Sequence, residues 1–454
     1  MDQYFAANRD RHLEELKAFL AFPSISTLSS HAGDLRACAE WLKAACLQVG
    51  LTKAEVMETG GHPLVYAERI EDPALPTALI YGHYDVQPVD PLHLWENPPF
   101  EAVIKENKIW ARGAVDDKGQ VFMHLKAIEG LLKLEGKLPI NLKLLIEGEE
   151  ESGSVNLERF VESHTDLLQA DVVVISDTAL YAPGVPSLTY ALRGLAALEF
   201  TVTGAKGDLH SGVYGGASPN AAQALARLVA TLHTPEGGVA VKGFYDGVRA
   251  LSAEERENFA SLRFDEAELK TELKVSALPG EPGFSALERM WARPTLEING
   301  IYGGFQGEGT KTVIPCEATA KVTCRLVPDQ DPVQVQDAIE AHLKANVPPG
   351  VSVTVKRKEG TPAAITPIEH PAIQAAMKSL SEGYGAEAKF IRSGGSIPIV
   401  GLFQRTMDLP SVLMGFGLET EQVHAPNEHF HLENFDKGLR VLYTYWHELA
   451  SAMK

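Results

Sequence analysis

His83, Asp116, Glu151, Asp177 and His424 are imidazole and carboxylate donors of the kind that hold divalent metal ions, and their placement in the chain is patterned. Four of them close apolar, strand-like runs: His83 in ALIYGHYDV, Glu151 after NLKLLIEGEE, Asp177 after DVVVIS and His424 at the end of PSVLMGFGLETEQVH. Asp116 lies in the loop ARGAVDDKG. Runs of this composition read as strands buried in a parallel sheet. Open α/β sheets gather ligands in the crevice at the carboxyl ends of their strands. The spacing therefore predicts one polar site assembled from five distant segments. Three carboxylates and two imidazoles exceed the ligand set of one closed tetrahedral zinc and suit two divalent ions sharing a bridging carboxylate. Two dications with one hydroxide neutralise the three carboxylates, whereas a single dication leaves the site anionic.

Each donor also has an ordinary structural reading. His83 and Asp85 stand two apart on a strand, so both side chains leave the same face. A carboxylate behind a metal-bound histidine fixes its tautomer, but an isolated HxD is more often a polar strand end. Asp116 and Asp117 precede the helix pattern GQVFMHLKAIEGLL, where acids are favoured by the helix dipole. Glu149, Glu150 and Glu151 form an acidic run that is usually a solvated turn; chemistry alone leaves open which of them binds metal and which moves protons. Asp177 alone reads as a helix cap. His429 and His431 compete with His424, and His124, inside an apolar helix pattern, reads as a core histidine.

Those donors need a scaffold, and the pattern of elements supplies one. The amino-terminal part opens with an amphipathic helix through HLEELKAFLAF and then alternates strands with helices such as LRACAEWLKAACLQVG, the order of an α/β domain. From about Leu188 the order changes. The strand LAALEFTVTG is followed by the helix SPNAAQALARLVATLH, with Ser218 expected at the N-cap and Pro219 in the first turn. Strands TLEINGIYGG and EATAKVTCRLVP, helix DPVQVQDAIEAHLKANV and strand GVSVTVKRK complete a β-α-β-β-α-β set, the ferredoxin-like order. The helix PAIQAAMKSLSEGYG and the strand PSVLMGFG then return to the first pattern. The expected organisation is residues 1–188 and 363–454 as one α/β domain, with a mostly parallel sheet and helices on both faces, interrupted by an α+β ferredoxin-like domain at 189–362.

Composition narrows the function classes. The net charge of −19 argues against a surface that tracks nucleic-acid phosphates or anionic lipid. Cys38, Cys46, Cys316 and Cys324 show no CxxC spacing and read as reduced thiols. The charged start MDQYFAANRDRH lacks the apolar core of a secretory signal, and no run of about 18 apolar residues occurs. A cytoplasmic location is expected, with no membrane or nucleic-acid partner.

GHYDV, the WENPPF loop, ARGAVDDKG, EGEEESGS, ISD, GDLHSGVYGG, TVIP with CRLVP, GGSIP and HAPNE occur in order along nearly the whole chain. Together they resemble the co-catalytic zinc exopeptidase family of carnosinase-like dipeptidases, aminoacylases and glutamate carboxypeptidases, and look closest to the cytosolic non-specific dipeptidase branch. The resemblance implies a catalytic α/β domain interrupted by a lid that also dimerises. It makes His83, Asp116, Glu151, Asp177 and His424 the metal ligands, with Asp116 bridging and a cis peptide after it. Asp85 supports His83, and Asp117 shapes the backbone or supports from behind. Glu150 becomes the general base and Glu149 falls at a variable position.

The same resemblance gives the lid its roles. His210 in GDLHSGVYGG would polarise the scissile carbonyl from the neighbouring subunit, and Arg325 would grip a free substrate carboxylate, as a guanidinium does well. Thr312 and Ser396 would line the substrate. The implied activity is hydrolysis of dipeptides by a hydroxide bridging two divalent ions per subunit. Zinc is expected, and manganese or cobalt suit the same donors. An N-acyl-amino-acid deacylase or a carboxypeptidase would use the same chemistry, while a non-catalytic binding relative is disfavoured because Glu150 accompanies every inferred ligand. Ser393 stands where animal carnosinase-like enzymes have an acid, which argues against β-alanyl-histidine specificity.

Overall fold

The computed structural model describes residues 1–395 and 397–453. The chain forms two compact units: Met1–Tyr190 with Thr366–Ile391 and the chain from Leu402 onward, and Ala191–Ile365 with Arg392–Gly401.

In the first unit the apolar runs become a sheet in the spatial order Lys53–Met57, Leu64–Arg69, Asn141–Glu147, Thr77–His83, Val172–Ile175, Ser411–Leu413, Ser187–Leu192. The four central strands are parallel and are the ones that lead to the candidate donors. Their register places His83 beside Glu147, and Tyr81 beside Ile175, so the ends at which the donors follow are level. The outer pairs are antiparallel. Ile80, Leu144, Val174 and Val412 are buried within one apolar core with the helices Ala32–Val49, Lys118–Glu135 and Leu432–Ala452. The Lys118–Glu135 helix is buried from Lys118 to Leu131, and Gly136, at φ 76°, ends it in a left-handed turn that glycine adopts without strain.

Two expectations are corrected. The run through His424 is not one strand: Ser411–Leu413 is followed by the short strand Gly417–Leu418 and a 3-10 turn, and His424 lies in the loop beyond at φ 59°. The helix in SPNAAQALARLVATLH begins at Ala221, capped by Asn220, whose Oδ1 accepts from Gln223 N at 3.1 Å. Asparagine caps as well as serine, and its position here lets the apolar stripe Ala221, Ala224, Leu225, Leu228 face the core.

The second unit is a four-stranded antiparallel sheet in the order Thr295–Gly303, Glu317–Leu326, Gly194–Thr203, Ser352–Arg357. Along Gly194–Thr203 buried residues alternate with more exposed ones. Leu198, Phe200, Val202, Val322 and Cys324 join Leu225, Leu228, Ile339 and Leu343 of the helices Ala221–Ala230 and Pro332–Asn346 in a separate core. The period of two sends Arg325 to the other face of the sheet. Three short helices, Ala253–Ser261, Glu266–Leu273 and Ala286–Ala292, occupy the polar excursion. All four cysteines are free thiols. Among the described residues no helix is long and apolar enough to cross a membrane.

An ionic cluster pins the Asp2–Leu20 helix to the Lys118–Glu135 helix. The buried Glu129 accepts from Tyr4 Oη at 2.6 Å, from Lys126 Nζ at 2.9 Å and from Arg11. Burial opposes its ionisation, but His12, Arg11 and Lys126 hold its carboxyl well below the ordinary 4.5. Glu129→Gln leaves Lys126 with Glu15 as its one remaining charge partner and removes the charge that Arg11 and Lys126 share, so urea unfolding at neutral pH is expected to show a loss of roughly 1–3 kcal/mol. A depressed carboxyl stabilises the fold above its unfolded pKa and loses that contribution as pH falls. The gap between wild type and variant should therefore narrow as pH drops below about 4.5; a gap that widens on acidification would contradict the assignment.

Candidate metal centre

The ends of the parallel strands bring five donors into two overlapping groups. His83, Asp116 and Asp177 form one and Asp116, Glu151 and His424 the other, with the donor atoms of each group within 4.8 Å of one another. Asp116 belongs to both. Its Oδ1 lies 3.1 Å from His83 Nε2 and its Oδ2 2.9 Å from His424 Nε2. His424 Nε2 is also 3.2 Å from Glu151 Oε2. One carboxylate thus offers its two oxygens to two different donor groups, as a bridging ligand does.

Backbone amides hold this arrangement. Asp85, fully buried, accepts from Glu150 N at 3.2 Å through Oδ1 and from Glu151 N at 3.0 Å through Oδ2. Its Oδ1 also lies 3.4 Å from His83 Nδ1, and its carbonyl is 3.1 Å from the same nitrogen. A single side chain therefore ties the histidine to the acidic turn and leaves His83 Nε2 directed at Asp116. Asp117 Oδ2 accepts from His83 N at 3.2 Å, and the Asp116–Asp117 peptide is cis. Glu149 turns away to Asn156 Nδ2, 3.1 Å from both of its oxygens. Glu150 and Glu151 sit in a 3-10 turn after the strand, and only Glu151 reaches His424.

Electrostatics test whether these residues suit metal ions. Burial, and then Asp116 and Glu151, push the Asp177 carboxyl upward. Burial likewise raises Glu150, with Asp177, Glu151 and Asp116 adding to it against the opposing His83. His424 is raised to about 10 by its bonds to Asp116 and Glu151. So many buried acids resist joint ionisation unless positive charge lies among them. Divalent cations bound to oxygen and imidazole donors would supply it, so the donor set fits metal.

Sequence reasoning missed three residues here. Gln87 Nε2 donates to Glu151 Oε2 at 2.6 Å. Glu428, fully buried, accepts from Gly113 N at 2.9 Å, Val115 N at 3.0 Å, Asp116 N at 3.2 Å and Arg112 Nη1 at 2.8 Å. It binds the Asp116 loop to the loop carrying His424, four residues earlier. Its neighbour Asn427 fastens the WENPPF loop, accepting from Glu96 N at 2.8 Å and donating to Leu94 O at 3.0 Å. The sequence signal for Asn427 and Glu428 was their place in HAPNE, and for Gln87 its place directly after GHYDV. His429 stacks on Trp110, His431 bonds to Glu421 and His124 to Ser176, and none of the three joins a donor group.

The remaining expected residues belong to the second unit. His210 pairs with Val313 in a two-strand ladder, is exposed, and its Nδ1 accepts from Gly212 N at 2.9 Å. Thr312 is exposed beside it and its carbonyl accepts from Ser211 N at 3.0 Å. Arg325, half-buried, lies between Leu195 and Thr295 on the neighbouring strands. Ser396 lies outside the described residues.

A family model described as peptidase family M20/M25/M40 matches residues 79–448. The chain is 30% identical to a Cys-Gly metallodipeptidase of Schizosaccharomyces pombe over 98% of this chain and 96% of that protein. It is 32% identical to the human beta-Ala-His dipeptidase over 86% and 78%. Among solved structures, an M20 family metallo-carboxypeptidase of Sulfolobus solfataricus superposes with a TM-score of 0.81 at 35% identity, covering 97% of this chain and 99% of that one.

Glu428→Gln places an amide where three backbone N–H groups need an acceptor. Metal affinity, measured by competition with a chromophoric chelator, is expected to fall about 10–100-fold. Unchanged affinity beside a lowered melting temperature would reduce Glu428 to a packing residue.

Proposed function

The chain belongs to peptidase family M20/M25/M40 and is a hydrolase, and from that premise we propose that it cleaves the peptide bond of dipeptides, and of other short peptides with a free terminal carboxylate, with two divalent metal ions per subunit. The single observation that carries the dinuclear reading is Asp116 standing in both donor groups. His83 and Asp177 complete one site and Glu151 and His424 the other. Zinc is the expected metal.

Ions held there would acidify a bound water and polarise the scissile carbonyl. Glu150, beside the ligands but outside both groups, takes a proton from the attacking water on its carboxylate oxygen and passes it to the departing amine nitrogen. Asp85 keeps Glu150 and Glu151 apart in role by fixing the backbone of both. His210 donates to the carbonyl oxygen as negative charge develops on it. Arg325 holds the substrate carboxylate, and Thr312 and Ser396 line the substrate. We further propose a homodimer built through the second unit, and a cytoplasmic location, which the four free thiols support. A carboxypeptidase acting on longer chains is the second reading, favoured by the likeness to the Sulfolobus metallo-carboxypeptidase; a series of peptides of increasing length separates the two.

Glu150→Gln should retain two ions by elemental analysis while kcat on dipeptides falls about 10²–10⁴-fold. Glu151→Gln should bind fewer ions. The opposite pattern would exchange the two roles.

Dimerisation has its own test. If His210 serves the partner's site, co-expressed His210→Ala and Glu150→Ala chains should regain activity in mixed dimers that neither parent shows. Purified mixed dimers as inactive as the parents would confine His210 to its own subunit or remove it from catalysis.

A further inference from the structure

The segment EGEEESGS spans Glu147–Ser154, and the proposed hydrolysis uses two of its residues, Glu150 and Glu151. Its first and last side chains meet. Ser154 Oγ donates to Glu147 Oε1 at 2.8 Å, and Oη of the buried Tyr81 donates to the same oxygen. Two hydroxyls on one buried carboxylate oxygen close a ring of chain around the two acids. The backbone inside that ring is a single reversal: Ser152 N and Ser154 N both donate to Glu149 O, at 3.2 and 2.8 Å, and Gly153 N donates to Glu150 O at 2.8 Å.

The two ends of this turn are held differently. At its start Gly148 packs on Tyr84, where a Cβ would stand 2.4 Å from Oη, and Asp85 accepts the amides of Glu150 and Glu151. At its return Ser154 has φ 51°, a left-handed conformation that residues with a side chain adopt at a cost. Such a conformation persists only where the surroundings impose it. The Ser154 hydroxyl fixed on Glu147 supplies that hold. Glu147 is anchored in turn, since it lies beside His83 in the parallel ladder and its carbonyl accepts from Tyr84 N at 2.8 Å. Burial, then the charges of Glu147, Glu150 and Asp177, push the Tyr81 hydroxyl well above its ordinary 10, so it stays a donor near the base yet committed to Glu147.

We propose that Glu147, Ser154 and Tyr81 are positioning residues, a staple across the acidic turn that holds Glu150 in place for proton transfer. The proposal rests on the peptidase reading and deepens it, adding three residues that stand outside both donor groups. Misplacing a reacting group by about 1 Å costs up to about 10²-fold in rate, so the staple matters to turnover more than to folding.

Ser154→Gly separates the two effects. Glycine adopts φ 51° freely, so the melting temperature should not fall. The staple is lost, and kcat on a dipeptide should drop about tenfold, with KM within about twofold and two ions still bound. Ser154→Ala keeps the strain without the bond; it should lose as much kcat and also melt lower. Glu147→Gln retains an oxygen for both hydroxyls, and its kcat should stay within about threefold of wild type. Amide hydrogen exchange on the metal-free full-length chain gives a readout apart from activity. Tyr81→Phe, which removes a donor and leaves the turn's own residues untouched, should quicken exchange in segment 148–156 about tenfold and leave the Lys118–Glu135 helix unchanged. Wild-type kcat in Ser154→Gly, a Glu147→Gln chain as inactive as Ser154→Ala, or unchanged exchange in Tyr81→Phe overturns the proposal. A wild-type chain loaded with two ions that cleaves no dipeptide refutes the peptidase reading instead, whereas wild-type cleavage beside a fully active Ser154→Gly refutes only the staple.

Discussion

Like charges crowded together in a buried place are the constraint on which the rest of this structure depends. Asp116, Glu151 and Asp177 converge with Glu150 at the ends of four parallel strands, and burial raises Asp177 and Glu150. Such a cluster persists only where something other than its own side chains holds it. Here the scaffold does so: Asp85 accepts the amides of Glu150 and Glu151, and Glu428 those of Gly113, Val115 and Asp116. Each is itself a buried acid satisfied by backbone N–H groups, with Arg112 as charge partner for Glu428. Negative charge behind the ligands thereby fixes the loops, and negative charge in front awaits cations.

This division of labour explains why the fold is built as it is. Parallel strands end level with one another, so residues far apart in the chain leave the sheet at one edge without any local contact between them. The central Lys118–Glu135 helix, buried almost throughout, fixes the loop of Asp116 at its start. Gly119 shows how close that packing is: a Cβ there would stand 1.9 Å from Ala114 O. Substitution at such a point moves backbone and not merely a side chain.

The second unit carries the complementary chemistry. Its sheet gives one face to a core of its own and sends Arg325 to the other, while Arg193 and the helices of the excursion complete a cationic and apolar cavity. The candidate metal donors and this cavity thus reside in different parts of the chain. None of the donor groups draws on the excursion.

The sequence by itself made the candidate donors and the order of elements legible. An imidazole or carboxylate closing an apolar run is a local signal, and period-two burial in LAALEFTVTG or the helix pattern of DPVQVQDAIEAHLKANV needs no distant partner to be read. Tertiary structure decided what depends on distance. Side-chain chemistry alone cannot separate three adjacent glutamates; the resemblance set Glu149 aside, and the geometry supplies the physical difference, with Glu151 reaching His424 and Glu149 turning to Asn156. Only the geometry shows Glu428 holding the Asp116 loop across more than three hundred residues of chain. In the sequence it was one more acid after HAPN, because a residue that works by accepting backbone hydrogen bonds reveals its role through its neighbours in space, and those are set by the fold.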